Sequence, residues 1–103
     1  MAKIIKVRKD VLNFSKEMEK KLRIKDYKGG WEECRLDCLF AEIGREIHEL
    51  MWAMQKADTD TIRADFCAEN CEDIISECAD IANYVMMIAT NTKRRMKKKK
   101  SDG

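Results

Sequence analysis

The chain has no proline, four glycines and a single histidine among 103 residues, and aromatic residues make up 7% of it. A β-sandwich needs many turns, and turns draw on glycine and proline. Their scarcity points away from that class and toward long helices. No run of eighteen apolar residues occurs, so no transmembrane span is expected. The opening MAKIIKVRKD has no apolar h-region and no small-residue cleavage site, so it does not read as a secretory signal. A cytoplasmic protein without a membrane role is the expectation. An even cysteine count is also lacking. Five cysteines (Cys34, Cys38, Cys67, Cys71 and Cys78) fall within helical patterns, where free thiols act as small buried apolar groups. The Cys34-x₃-Cys38 and Cys67-x₃-Cys71 pairs suggest a disulfide hairpin or a zinc site. Reduced core thiols are preferred, because the two-residue spacing common in zinc sites is absent.

What is present is charge and apolar surface, at 39% and 45% of residues. A chain of this length is one domain with a small core, and many such chains complete it by association. The net charge of +2 conceals two regions of opposite sign. Residues 93–103 hold seven Lys/Arg against Asp102, a net +6, which leaves −4 for residues 1–92. The basic end reads as a disordered, solubilising tail appended to a helical domain over 1–92. Nucleic-acid binding through it is the less favoured reading, since no groove-reading element accompanies it.

Three main helices are predicted, an all-α bundle whose core is completed by homo-oligomerisation, as a homodimer or homotetramer. Asp10 is placed as the N-cap of the first, with Val11, Phe14, Met18 and Leu22 as its apolar stripe. It ends between Ile24 and Tyr27, before the Gly29-Gly30 break. A second helix runs from Leu36 to Lys56, and 57–61 is a polar connection. The stretch from Ile62 to Asn70 reads equally as a short helix or a structured loop. The third helix runs from Cys71 to Thr92.

Glu46 and Glu49 on the second helix and Glu77 and Asp80 on the third are each three residues apart, so each pair projects from one helix face. A solvated face is the ordinary meaning of one such pair. Two pairs beside long apolar runs, with no Lys or Arg between Arg63 and Lys93, call for an external cation or a basic partner. Packed antiparallel, the two helices would converge four carboxylates on a hard divalent cation, Mg²⁺ or Mn²⁺, able to hold a polyphosphate. His48 points to another face and is read as a packing or surface residue.

The string KGGWEECRLDCLFAEIGREIHELMWAM, followed by ECADIANYVMMIATN, resembles the MazG-like all-α nucleotide pyrophosphohydrolases. Their pattern is EExxEL on one helix and ExxD on the next. Glu46 and Glu49 match the second and third acids of the first motif, and Glu77 and Asp80 match the second motif. The likeness covers about residues 14–92. It implies hydrolysis of a nucleoside triphosphate to the monophosphate and pyrophosphate. It also implies that Glu46, Glu49, Glu77 and Asp80 hold Mg²⁺ and carry the catalysis, with one of them or Glu42 taking the proton from water. Arg45 stands where the family often has glutamate. Glu42, one turn before Glu46, is read as compensating, or else Arg45 as contacting a phosphate or pairing with an acid on a neighbour.

Four further residues are candidates for nucleotide contact. Trp31 stacks on a base or closes the bundle. Lys28 reaches a phosphate or lies in solvent. Asn83 binds a sugar hydroxyl or base edge, or else bonds between helices. Asn91 contacts the nucleotide or lies near a helix end. Two rival functions stand beside the enzyme. One is a catalytically weak nucleotide- or metal-binding module, suggested by Arg45. The other is a helical interaction protein that uses its basic tail on nucleic acid.

Overall fold

A computed structural model describes residues 4–26, 29–61 and 68–102. The described residues form three α-helices and one 3₁₀ turn, with no strand. Helix α1 spans Lys9–Lys25, the 3₁₀ turn Trp31–Glu33, α2 Leu36–Thr61 and α3 Ala68–Asp102. No described helix is long and apolar enough to cross a membrane.

Helices α2 and α3 make the main packing interface, and α1 lies against α3. Leu39 shares a cavity wall with Asn83 and Met87, whereas Glu46 meets Glu77 and Asp80. Advancing along α2 therefore means retreating along α3, which is antiparallel packing. The buried apolar residues are Leu39, Ile43, Ala57, Ala79 and Met87. No large side chain among the described residues is fully enclosed. The radius of gyration is 17.2 Å and the longest extent 61 Å, against about 13 Å expected for the radius of a compact domain of this length. A single chain thus builds a thin core along a rod.

Several boundaries depart from the sequence reading. The N-cap of α1 is Arg8, without a side-chain capping bond, and Asp10 sits inside the first turn. There its charge still favours the positive end of the helix dipole. The predicted stripe of α1 splits: Met18 and Leu22 are half-buried, while Val11 and Phe14 are exposed. Helix α2 continues through the expected connection to Thr61, and of the ambiguous stretch Ala68–Asn70 is helical while 62–67 lies outside the described residues. The thiols are free at Cys34, Cys38, Cys71 and Cys78, but Cys38 is exposed rather than buried. Helix α3 runs on to Asp102, where a disordered tail was expected. Lysine and arginine are good helix formers, no breaker intervenes, and positive charge suits the C-terminal end of a helix.

The reversal between α1 and α2 depends on Gly29 (φ 53°) and Gly30 (φ 78°), both left-handed. Gly44, in contrast, sits on the exposed side of α2, and a methyl group added there would meet nothing within 4 Å. The two helix-flanking and helix-interior glycines should therefore respond with opposite signs. Gly30→Ala is expected to cost about 1–2 kcal/mol in chemical denaturation, whereas Gly44→Ala should raise stability of the isolated chain by about 0.5–1 kcal/mol. Equal effects at both sites would contradict the φ assignment.

Candidate functional site

The predicted acids meet. Glu46 from α2 and Glu77 and Asp80 from α3 each offer a carboxylate oxygen, all within 4.8 Å of one another. Glu46 and Asp80 are each 7% exposed, and Glu77 is half-buried. Glu49 is exposed and stands outside this group of three. Its charge nonetheless acts on both Glu46 and Glu77. The structure thus brings three of the four predicted acids together, and the i, i+3 spacing that keeps Asp80 with Glu77 does not bring Glu49 in with Glu46.

Crowding shows in the acidities. Burial, followed by hydrogen bonding to Glu46 and the charge of Glu49, pushes Glu77 up to about 7 from 4.5. Glu46 is raised by burial and by the charge of Glu49, while its bond with Glu77 acts in the other direction. Each carboxyl therefore bears on the acidity of the other. Glu46 Oε2 and Glu77 Oε2 are both buried with no donor to satisfy them. Two enclosed carboxylate oxygens in that condition need a shared proton or a cation between them. The donor set, all carboxylate oxygen, suits a hard divalent ion.

Asp80 joins this cluster to a cavity of about 500 Å³ bounded by the end of α1, the Gly29-Gly30 bend, the 3₁₀ turn, α2 and α3. Its walls are apolar at Leu22, Leu39 and Met87 and aromatic at Trp31 and Tyr84. The volume lies in the range of small-ligand sites, which combine apolar walls with a few convergent polar groups. Asn83, 4% exposed, lines it. Its Nδ2 donates to the carbonyl of Met18 at 3.0 Å, and its buried Oδ1 has no partner. The inter-helix bond foreseen for Asn83 is therefore made with one end of the amide, and the other end remains an acceptor.

The remaining predicted contacts divide. Trp31 lines the cavity, with Arg94 5.3 Å from its ring centroid. Asn91 is not a lining residue. Its Nδ2 donates to the Trp31 carbonyl at 3.0 Å, and its Oδ1 accepts from Arg94 at 3.2 Å, so both ends of its amide are used in holding the 3₁₀ turn. Lys28 lies outside the described residues. Arg45 pairs with Glu42 one turn before it and also feels the charge of Glu46. His48 is exposed. Two residues went unforeseen: Lys21 and Lys25 of α1 both reach Asp80. Their i, i+4 spacing was visible, but nothing in the sequence told which helix that face would meet.

Glu77 has a direct consequence for stability. Its folded pKa of about 7 exceeds its ordinary value of 4.5. The contribution from its protonated form is complete below about 4.5 and is lost as pH rises through about 7. The metal-free chain should therefore melt at lower temperature at pH 8 than at pH 5.5. Glu77→Gln should raise the melting temperature at pH 8 by several degrees and flatten the pH dependence. Thermal melts by circular dichroism in EDTA measure both, and an unchanged pH slope in the variant would refute the assignment.

Compared with known proteins, the chain matches no family model, no curated protein and no solved structure.

Proposed function

We propose that the chain is a Mg²⁺-dependent nucleotide pyrophosphohydrolase, cleaving a nucleoside triphosphate to the monophosphate and pyrophosphate, with Mn²⁺ as a substitute ion. The observation that carries this reading is the juxtaposition of the carboxylate cluster and the cavity through one residue, Asp80. A cation-binding group and a nucleoside-sized apolar recess would then share an edge, as a metal–triphosphate substrate requires. The motif resemblance to the MazG-like enzymes points to the same reaction.

Glu46, Glu77 and Asp80, with Glu49 at the rim, would hold the metal. When bound, Mg²⁺ would supply neutralisation of phosphate oxygens and acidification of a water. The chain's own part is positional. Trp31 and Tyr84 offer ring surface to a base, and Leu39 and Met87 exclude water behind it. Water oxygen bonds to the α-phosphorus, the bond from that phosphorus to the bridging oxygen breaks, and pyrophosphate departs. The proton of the water passes to a carboxylate of the site. Arg45 and Glu42 neutralise each other, so the departure from the family motif leaves the three converging acids intact. No observation separately favours a binding module without catalysis.

The same reading includes a homodimer or homotetramer. On α2, Phe40, Gly44, Ile47, Met51 and Met54 follow at intervals of four, three, four and three, which is the seam of a helix pair. The four large members are 43–69% exposed in the single chain. Gly44 would allow a second helix to approach closely, and an α2–α2 contact would cover the thin core beside the acids.

Two measurements test these points. A screen of canonical and modified nucleoside triphosphates with Mg²⁺ should release pyrophosphate from at least one, with loss in EDTA and a fall of at least ~100-fold in Glu46→Gln and Asp80→Asn. No turnover with Mg²⁺ or Mn²⁺ on any nucleotide would reject the enzyme. Analytical ultracentrifugation should give a mass at least twice 12.1 kDa, reduced toward one chain by Ile47→Lys. A wild-type monomer at every concentration would reject the assembly.

A further inference from the structure

Within the acid cluster, Asp80 faces two cations, and both come from one helix. Lys21 Nζ lies 3.4 Å from Asp80 Oδ2, and Lys25 Nζ lies 3.8 Å from Asp80 Oδ1. Each carboxylate oxygen thus has its own ammonium. Asp80 is nearly enclosed, its side chain 9% exposed, while those of Lys21 and Lys25 are 26% and 40% exposed. The lysines therefore stand between a buried anion and the open cavity, which both of them line. Each also has a secondary anchor: Lys21 donates to Ser76 Oγ at 2.8 Å, and Lys25 sits over the Tyr84 ring at 5.6 Å.

Helix α1 has no buried residue of its own. Its grip on α3 comes from half-buried Met18 and Leu22, the Asn83 bond to the Met18 carbonyl, and these lysines. Helix packing alone does not require two ammonium groups on one carboxylate. An acidic cluster with two enclosed, unpartnered oxygens does need positive charge. An ammonium is a compact point charge on a flexible stem, which can leave one anion for another without rebuilding the helix that carries it.

We propose that Lys21 and Lys25 are built-in stand-ins for a divalent cation at Asp80, displaced from its oxygens when the ion arrives and turned onto the phosphates that accompany it. This rests on the metal–triphosphate reading above and adds two residues and an order of charge exchange to it. The ligand class is a divalent cation with a polyphosphate. A carboxylate can satisfy either two ammonium groups or a metal ion at close range, but metal and ammonium in the same place repel. Once the metal holds Asp80, the lysines need a new anion, and a polyphosphate entering the cavity with the ion provides one. The ion and the polyphosphate should therefore bind cooperatively, each making room or charge for the other.

Binding measurements on the full chain test this without reference to turnover. The double variant Lys21→Gln/Lys25→Gln should bind Mn²⁺ alone about 3- to 10-fold more tightly than wild type, because its competitors are gone. The same variant should bind inorganic tripolyphosphate in the presence of Mg²⁺ at least ~10-fold more weakly. Lys21→Arg/Lys25→Arg should restore most of the polyphosphate affinity. A role confined to docking α1 would lower the melting temperature and move neither affinity in this opposed way. Unchanged or weakened Mn²⁺ binding in the double Gln variant, or unchanged tripolyphosphate binding, would overturn the proposal. If that variant fails to fold, Lys25→Gln, which leaves the Ser76 bond in place, should show the same two signs at smaller size. Nucleotide hydrolysis with unaltered affinities would sink the charge exchange and keep the enzyme. Opposed affinity shifts without hydrolysis of any nucleotide would do the reverse.

Discussion

Repulsion among neighbouring carboxylates is the constraint on which this molecule turns. Three acidic side chains from two helices place oxygens within 4.8 Å of one another, mostly out of solvent. Coulomb energy between like charges at such range is several kcal/mol even at an effective dielectric near 20, about 4 kcal/mol at 4 Å. Burial and the neighbouring charges push Glu77 up to about 7, and two ammonium groups stand at Asp80. Both effects lower the negative charge that the cluster carries.

The scaffold around this cluster is sparse. Among the described residues five apolar ones are buried, and large apolar side chains remain exposed along α1 and α2. A thin core has limited capacity to hold three acids together against their repulsion. The exposed apolar stripe of α2 and the acidic cluster share that helix.

How much of this was legible follows from the reach of each signal. The acids could be read because i, i+3 spacing acts within one helix and because α2 and α3 adjoin in sequence. Their antiparallel contact then follows from a short connection. The mutual approach of Glu46, Glu77 and Asp80 was visible for that reason, as was the separate position of His48. Lys21 and Lys25 were not, since their meaning depends on which face α1 turns toward a helix more than fifty residues away. Asn91 looked like Asn83 in sequence. One amide spends its nitrogen on the Met18 carbonyl and leaves an enclosed acceptor, and the other spends both ends on Trp31 and Arg94. The basic segment misled by composition: charge density suggested disorder, yet helix propensity and an uninterrupted preceding helix prevailed.

Arg94 and Arg95 give that segment a second meaning. Arg94 covers the Trp31 ring, and Arg95 donates to the Cys34 carbonyl at 3.4 Å, across 61 positions of chain. The basic turns of α3 are therefore a latch on the 3₁₀ turn, and the aromatic wall of the recess is held by contacts far apart in the chain, which carry a large loop-closure cost.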